Sequence, residues 1–118
     1  MPGKDAEPSC LLFVYGSLKR GQANHGELVA ARFVAPARTA PRFALRMIDG
    51  YPALVAGDRS IVGELYQLSP AALVELDDFE GDGYRRTEVE LEGGARAVSY
   101  LSRHPSAGAP FAADEWAM

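Results

Sequence analysis

Two stretches of this chain carry residue types that could do chemistry, and they lie far apart in the sequence. Asp77-Asp78-Phe79-Glu80 gathers three acids within four positions. The stretch reads as the last turn of a helix, where the backbone dipole is negative and each acid is disfavoured by about 0.3–1 kcal/mol. Local rules broken without local gain concentrate at working sites. Neighbouring negative charge, the dipole and burial beside Phe79 all favour the neutral form of Glu80. That makes Glu80 a candidate general acid and base near neutral pH, while a solvated acidic helix end is the other reading of the same residues. The second stretch, Tyr15-Gly16-Ser17-Leu18, sets a glycine and a hydroxyl at the end of the apolar run Leu11-Leu12-Phe13-Val14. Gly16 has no Cβ, so a ligand can come close to the peptide groups. Free backbone N–H groups in such a turn are suited to carboxylates and oxyanions.

The remaining polar candidates are scattered. His25 follows a potential capping residue, Asn24, and reads as a hydrogen bonder or a proton carrier. His104 falls in a loop between Arg103 and Pro105. With two histidines and one cysteine, no metal-ligand spacing is present, and no metal is expected. Cys10, just before the apolar run, reads as a partly buried structural thiol. Arg85 and Arg86 could hold a substrate carboxylate or simply cover an outer strand face. Tyr100, in a strand of small and apolar residues, either turns its hydroxyl into a pocket or finds a core partner. There is no Gly-x-Ser-x-Gly, phosphate loop or dinucleotide fingerprint.

The elements that must position these residues follow from apolar periodicity and chain breakers. The run at 11–14 suits a strand buried on both faces. A short helix is expected from about His25 to Ala31, capped by Asn24. Short strands are expected at 33–34, 38–40 and 43–48, separated by Pro36 and Pro41. Asp49-Gly50 and Gly57-Asp58 mark turns around a strand at 51–55, and another strand runs through 60–68. One clear helix starts at Ser69-Pro70; Leu73, Leu76 and Glu80 share one stripe of it, and Gly81 and Gly83 end it. Strands at 84–91 and 95–101 flank a Gly93-Gly94 hairpin turn. Pro105, Gly108 and Pro110 make 102–118 an irregular tail, and 1–9 reads as a flexible lead-in.

At 118 residues the chain is expected to be a single domain, 1–118. Its net charge of −4, with no basic cluster longer than Lys19-Arg20 or Arg85-Arg86, argues against a nucleic-acid partner. The lone cysteine excludes a disulfide framework within the chain. No run approaches the roughly 18 apolar residues of a membrane span, and Met1 to Ser9 lacks the apolar segment of a secretory signal. The expectation is a cytoplasmic protein with no membrane partner, of open oligomeric state.

Taken together, Val14 to Gln22, Gly50-Tyr51-Pro52-Ala53-Leu54-Val55, Gly63-Glu64-Leu65-Tyr66 and Leu76-Asp77-Asp78-Phe79-Glu80-Gly81 resemble the gamma-glutamylcyclotransferase-like superfamily. The likeness is strongest to its gamma-glutamylamine cyclotransferase branch and runs from about Leu11 to Leu101. It implies an α+β fold, a small closed mixed β-barrel with flanking helices. It also implies that Tyr15, Gly16, Ser17 and Leu18 bind the glutamyl part of a small-molecule gamma-glutamyl substrate, that Glu80 is catalytic, and that Tyr100 lines the pocket. One departure is Gly81-Asp82-Gly83-Tyr84, where the family often has a proline; this bears on the leaving-group side of the pocket.

The chemistry suits the residues independently of the resemblance. A gamma-glutamyl amide carries its own nucleophile, the α-amine, which can close on the γ-carbonyl and expel an amine as 5-oxoproline forms. The step needs a base, oxyanion donors and an acid, but no cofactor. Two alternatives stand beside it: deprotection of a gamma-glutamyl-protected biosynthetic intermediate, and a non-catalytic small-ligand-binding module of the same fold.

Overall fold

The computed structural model describes residues 10–16, 18–19, 25–28, 31–48, 50–104, 106–111 and 115. Eight strands form one sheet: β1 Cys10–Val14, β2 Arg32–Arg38, β3 Phe43–Ile48, β4 Tyr51–Ala56, β5 Val62–Leu68, β6 Tyr84–Glu90, β7 Arg96–Ser102 and β8 Ala109–Phe111. They are ordered β2-β5-β1-β7-β4-β3-β8, with β6 paired to β7 off this path. The α-helix α1, Pro70–Glu80, follows β5, and a 3-10 turn spans His25–Leu28.

Strand β7 is the hub. It pairs with β6 in antiparallel register from Tyr84↔Ser102 to Glu90↔Arg96. A strand has only two hydrogen-bonding edges, so its other edge is divided between β1, parallel at Leu12↔Val98, and β4, parallel at Leu54↔Leu101. The Thr39↔Leu91 bridge joins the ends of β2 and β6, with Ala40 N–H donating to Glu90 O at 3.0 Å and Glu92 N–H to Arg38 O at 2.9 Å. That contact closes β2, β5, β1, β7 and β6 into a small mixed barrel, and β4, β3 and β8 continue from β7 as a wing. The expected architecture is present, with one α-helix among the described residues.

Side-chain alternation along β1 explains two packing layers. Phe13 joins Leu45, Leu54, Ile61, Val89 and Leu91 in one apolar cluster. Leu12 and Val14 point the other way, to Leu28, Tyr66, Leu73, Leu76 and Tyr100 under α1. Both faces of β1 are buried, as its unbroken apolar run requires.

Three local expectations are corrected. Residues 32–38 form one strand through Pro36, which is tolerated because the edge of β2 away from β5 meets β6 only beyond it, from Arg38 to Ala40. The helix expected at 25–31 is a single 3-10 turn over His25–Leu28, while Asn24 lies outside the described residues. Within the stretch expected to be irregular, Ala109–Phe111 forms β8 by pairing with β3, Leu45↔Phe111 to Met47↔Ala109. Pro110 fits there because β8 lies at an end of the sheet order.

Candidate active site

The divided edge of β7 creates the site. As β1 ends and β4 takes its place beside β7, the two strands part, and Tyr15 fills the gap between their backbones. Its hydroxyl donates to Tyr100 O at 2.8 Å and accepts from Leu54 N–H at 3.2 Å. Burial, with smaller contributions from Tyr84 and Glu80, pushes the Tyr15 phenol well up, so it stays protonated. Gly16 follows where the chain passes β4. A Cβ there would lie 2.7 Å from Pro52 Cγ, so only glycine fits without displacing that ring. Lys19 N–H donates to Gly16 O at 3.0 Å and closes the turn.

Beyond this gap lies a cavity of about 540 Å³. Its inner wall is Phe13, Val14, Tyr15, Gly16, Leu18, Ser99 and Tyr100, and its outer part is lined by Ile48, Tyr51, Pro52, Phe79, Gly83, Tyr84, Ser102 and His104. Glu80 also lines it. Five of the six site residues expected from the sequence, Tyr15, Gly16, Leu18, Glu80 and Tyr100, therefore meet around one cavity; the sixth, Ser17, lies outside the described residues.

Glu80 reaches the cavity because α1 is placed by its ends and its stripe. Ser69 caps the start, its hydroxyl accepting from Ala72 N–H at 3.1 Å, with Pro70 at the first helical position. Gly81, at φ +75°, ends the helix and donates its N–H to Asp77 O at 3.1 Å. Leu73 and Leu76 are buried, and Glu80 continues their stripe inward. Among the described residues the Glu80 carboxyl makes no hydrogen bond or ion pair. Burial alone pushes its carboxyl up from 4.5 to about 7, without the contribution expected from the neighbouring acids.

Asp77 is the residue that sequence reasoning missed. One of its oxygens accepts from the Tyr100 hydroxyl at 2.6 Å, and the other lies 3.5 Å from Arg86 Nη1. Burial and the bond to Asp77 raise the Tyr100 phenol far above its ordinary value. Of the two alternatives, the Tyr100 hydroxyl takes the second and finds its partner on α1, while the residue still lines the cavity. Arg86, a candidate for substrate carboxylate, is engaged with Asp77 instead. The available signal was spacing: Asp77 and Glu80 are three residues apart and share a helix face.

The other candidates have local partners. His25 Nδ1 donates to Leu18 O at 2.9 Å and so steadies the turn after Gly16. Lys19, expected in a polar loop, is only 6% exposed, its ammonium 3.6 Å from Glu115 Oε2. Cys10 is half-buried in β1. Among the described residues no cluster of acids, histidines or cysteine could hold a metal ion, and no helix is long and apolar enough to cross a membrane.

The fold is similar to that of a crystal structure of an AIG2-like protein from Mus musculus. The two superpose with a TM-score of 0.79 at 26% identity, over 92% of this chain and 88% of that one. Residues 12–118 match the family model described as gamma-glutamyl cyclotransferase, AIG2-like, and the chain belongs to that family. It is 36% identical to the gamma-glutamylaminecyclotransferase of Bos taurus over 70% of this chain, and spans 57% of that relative's length. It is 30% identical to the gamma-glutamylcyclotransferase family protein YtfP of Escherichia coli, over 82% of this chain and 86% of that one.

Proposed function

We propose that this protein is a cyclotransferase that releases 5-oxoproline and a free amine from a gamma-glutamyl amide, with Glu80 as general base and then general acid. The observation that carries the reading is the meeting of the half-buried Glu80 carboxyl and the Tyr15-Gly16 turn at one cavity of about 540 Å³. Glu80 takes a proton from the substrate α-ammonium. The freed α-nitrogen attacks the γ-carbonyl carbon, forming the ring C–N bond and an oxyanion. The oxyanion collapses, the exocyclic C–N bond breaks, and the departing nitrogen takes one proton back from Glu80 and a second from the positively charged ring nitrogen, leaving as an ammonium while the ring nitrogen becomes the lactam N–H. Protons balance, and no cofactor is consumed.

A carboxyl raised to about 7 suits both roles. It is a stronger base toward an ammonium than an ordinary carboxylate, and a usable acid at neutral pH. Backbone N–H groups of the turn after Tyr15 are assigned to the substrate carboxylate or the oxyanion. The family membership and the names of the relatives support the reaction class.

The test is Glu80→Gln, assayed for 5-oxoproline release from a panel of gamma-glutamyl amides. Loss of a general acid and base lowers turnover by about 10²–10⁴-fold, with the far-ultraviolet spectrum and cooperative unfolding retained. A folded variant that keeps its turnover would remove Glu80 from the reaction.

A further inference from the structure

We infer that the departing amine carries an apolar group, so that the preferred substrates are gamma-glutamyl amides of hydrophobic amines, with Tyr51 and Phe79 as the residues that select them. The inference rests on the cyclotransferase reading and concerns the part of the substrate that the reading leaves open.

The cavity has two ends of different character. Its inner wall is buried and contains the backbone turn at Gly16, which suits the charged head of a glutamyl group. The opening, beside Ser102 and His104, carries a group of large apolar side chains. Tyr51, at the start of β4, is 48% exposed, and Phe79, in the last turn of α1, is 42% exposed. They are two of the four large hydrophobic side chains exposed among the described residues, and both line the same cavity, with Ile48, Pro52 and Tyr84 beside them. Side chains from β3, β4, α1 and β6 thus converge on one rim, which isolated surface hydrophobics do not do.

The volume points the same way. About 540 Å³ falls within the roughly 300–1,000 Å³ of sites for drug-sized ligands and exceeds what a glutamyl group alone would fill. With the glutamyl head at the inner wall and Glu80 at the scissile bond, the group on the departing nitrogen must lie toward the rim. There the aromatic faces of Tyr51 and Phe79 would be covered by an alkyl or aryl substituent, removing apolar surface from water on both partners.

The experiment measures 5-oxoproline release by the full chain from the gamma-glutamyl amides of phenethylamine and methylamine, two alkylamines of similar basicity. The expected kcat/KM favours the phenethylamide by about tenfold or more, the scale on which apolar pockets discriminate. Tyr51→Ala and Phe79→Ala, each at a half-exposed side chain, should each reduce that ratio by about threefold or more on the same scale. Equal or better use of the methylamide, or a ratio that neither variant moves, would overturn the inference and leave the cyclotransferase reading standing. Absence of 5-oxoproline from both amides and from the wider panel would remove both.

Discussion

The inner wall and the rim of the cavity are built on opposite plans. At the inner wall every hydroxyl whose bonds are described is already committed to the protein. Tyr15 donates to Tyr100 O, Ser99 donates to Phe13 O at 2.7 Å, and Tyr100 donates to Asp77. These bonds join strands and helix and leave the groups little freedom to follow a ligand. At the rim, Tyr51 and Phe79 are half exposed and packed on one side only. Fixed groups can preorganise a reaction, while loosely packed apolar ones accept a range of shapes. A site divided this way holds one part of its substrate strictly and tolerates variation in the other.

The sharpest way to break this contrast is to remove one hydroxyl from the inner wall. In Tyr15→Phe the ring stays, but Leu54 N–H and Tyr100 C=O lose their described partner where β1 and β4 part. Each buried group left unpaired costs about 1–3 kcal/mol. Urea unfolding should show at least that loss, and 5-oxoproline release should fall because the same gap forms the inner wall. Phe79→Ala, by comparison, should cost about 1 kcal/mol or less, since its side chain is substantially exposed. Equal losses in the two variants would mean that the rim is as integral to the fold as the gap.

The parts of this arrangement legible in the sequence are those set by local pattern. The run Leu11 to Val14 announced a doubly buried strand, and Ser69-Pro70, the Leu73, Leu76 and Glu80 stripe, and Gly81 marked both ends of α1 and its inward face. What stayed hidden depends on partners distant in sequence. Pro36 looked like a strand breaker because nothing local says that one edge of β2 stays unpaired until Arg38. The strand at 109–111 exists only through β3, more than sixty positions earlier. Tyr15 could not be read as the group that fills the gap, because the gap arises from two strands sharing one edge of β7. Asp77 looked like one more acid at a helix end until Tyr100, twenty-three positions on, supplied its partner.

A smaller effect sharpens the contrast within α1 itself. Asp77 and Glu80 sit one turn apart, yet one is bonded to Tyr100 and Arg86 and the other faces the cavity without a described partner. Asp77→Asn keeps a neutral acceptor for the Tyr100 hydroxyl and removes the charge from that bond, a difference of about 1 kcal/mol. Arg86→Ala should cost less, about 0–1 kcal/mol, because that ion pair is partly open to solvent. Thermal unfolding of both variants orders them. If Arg86 proves the more important, Asp77 is held from the strand side and Tyr100 is only a neighbour.

A dependence of stability on pH, traced to Glu80, completes the contrast. The Glu80 carboxyl has a value of about 7 in the folded chain against an ordinary 4.5. Folding therefore favours its protonated form, and the stability linked to it is full below about 4.5 and lost as pH rises through about 7. Wild type should lose stability between pH 5 and pH 8 relative to Glu80→Gln, which has no proton to release at that position. The melting temperatures of the two proteins should diverge by a few degrees over that interval, the variant becoming relatively more stable. The same ionisation produces the base that the reaction needs, so kcat/KM of the wild type should rise along a limb centred near 7. Parallel melting curves with such a limb still present would assign the activity titration to another group. Diverging curves without the limb would leave Glu80 buried and titrating as described, but outside the reaction.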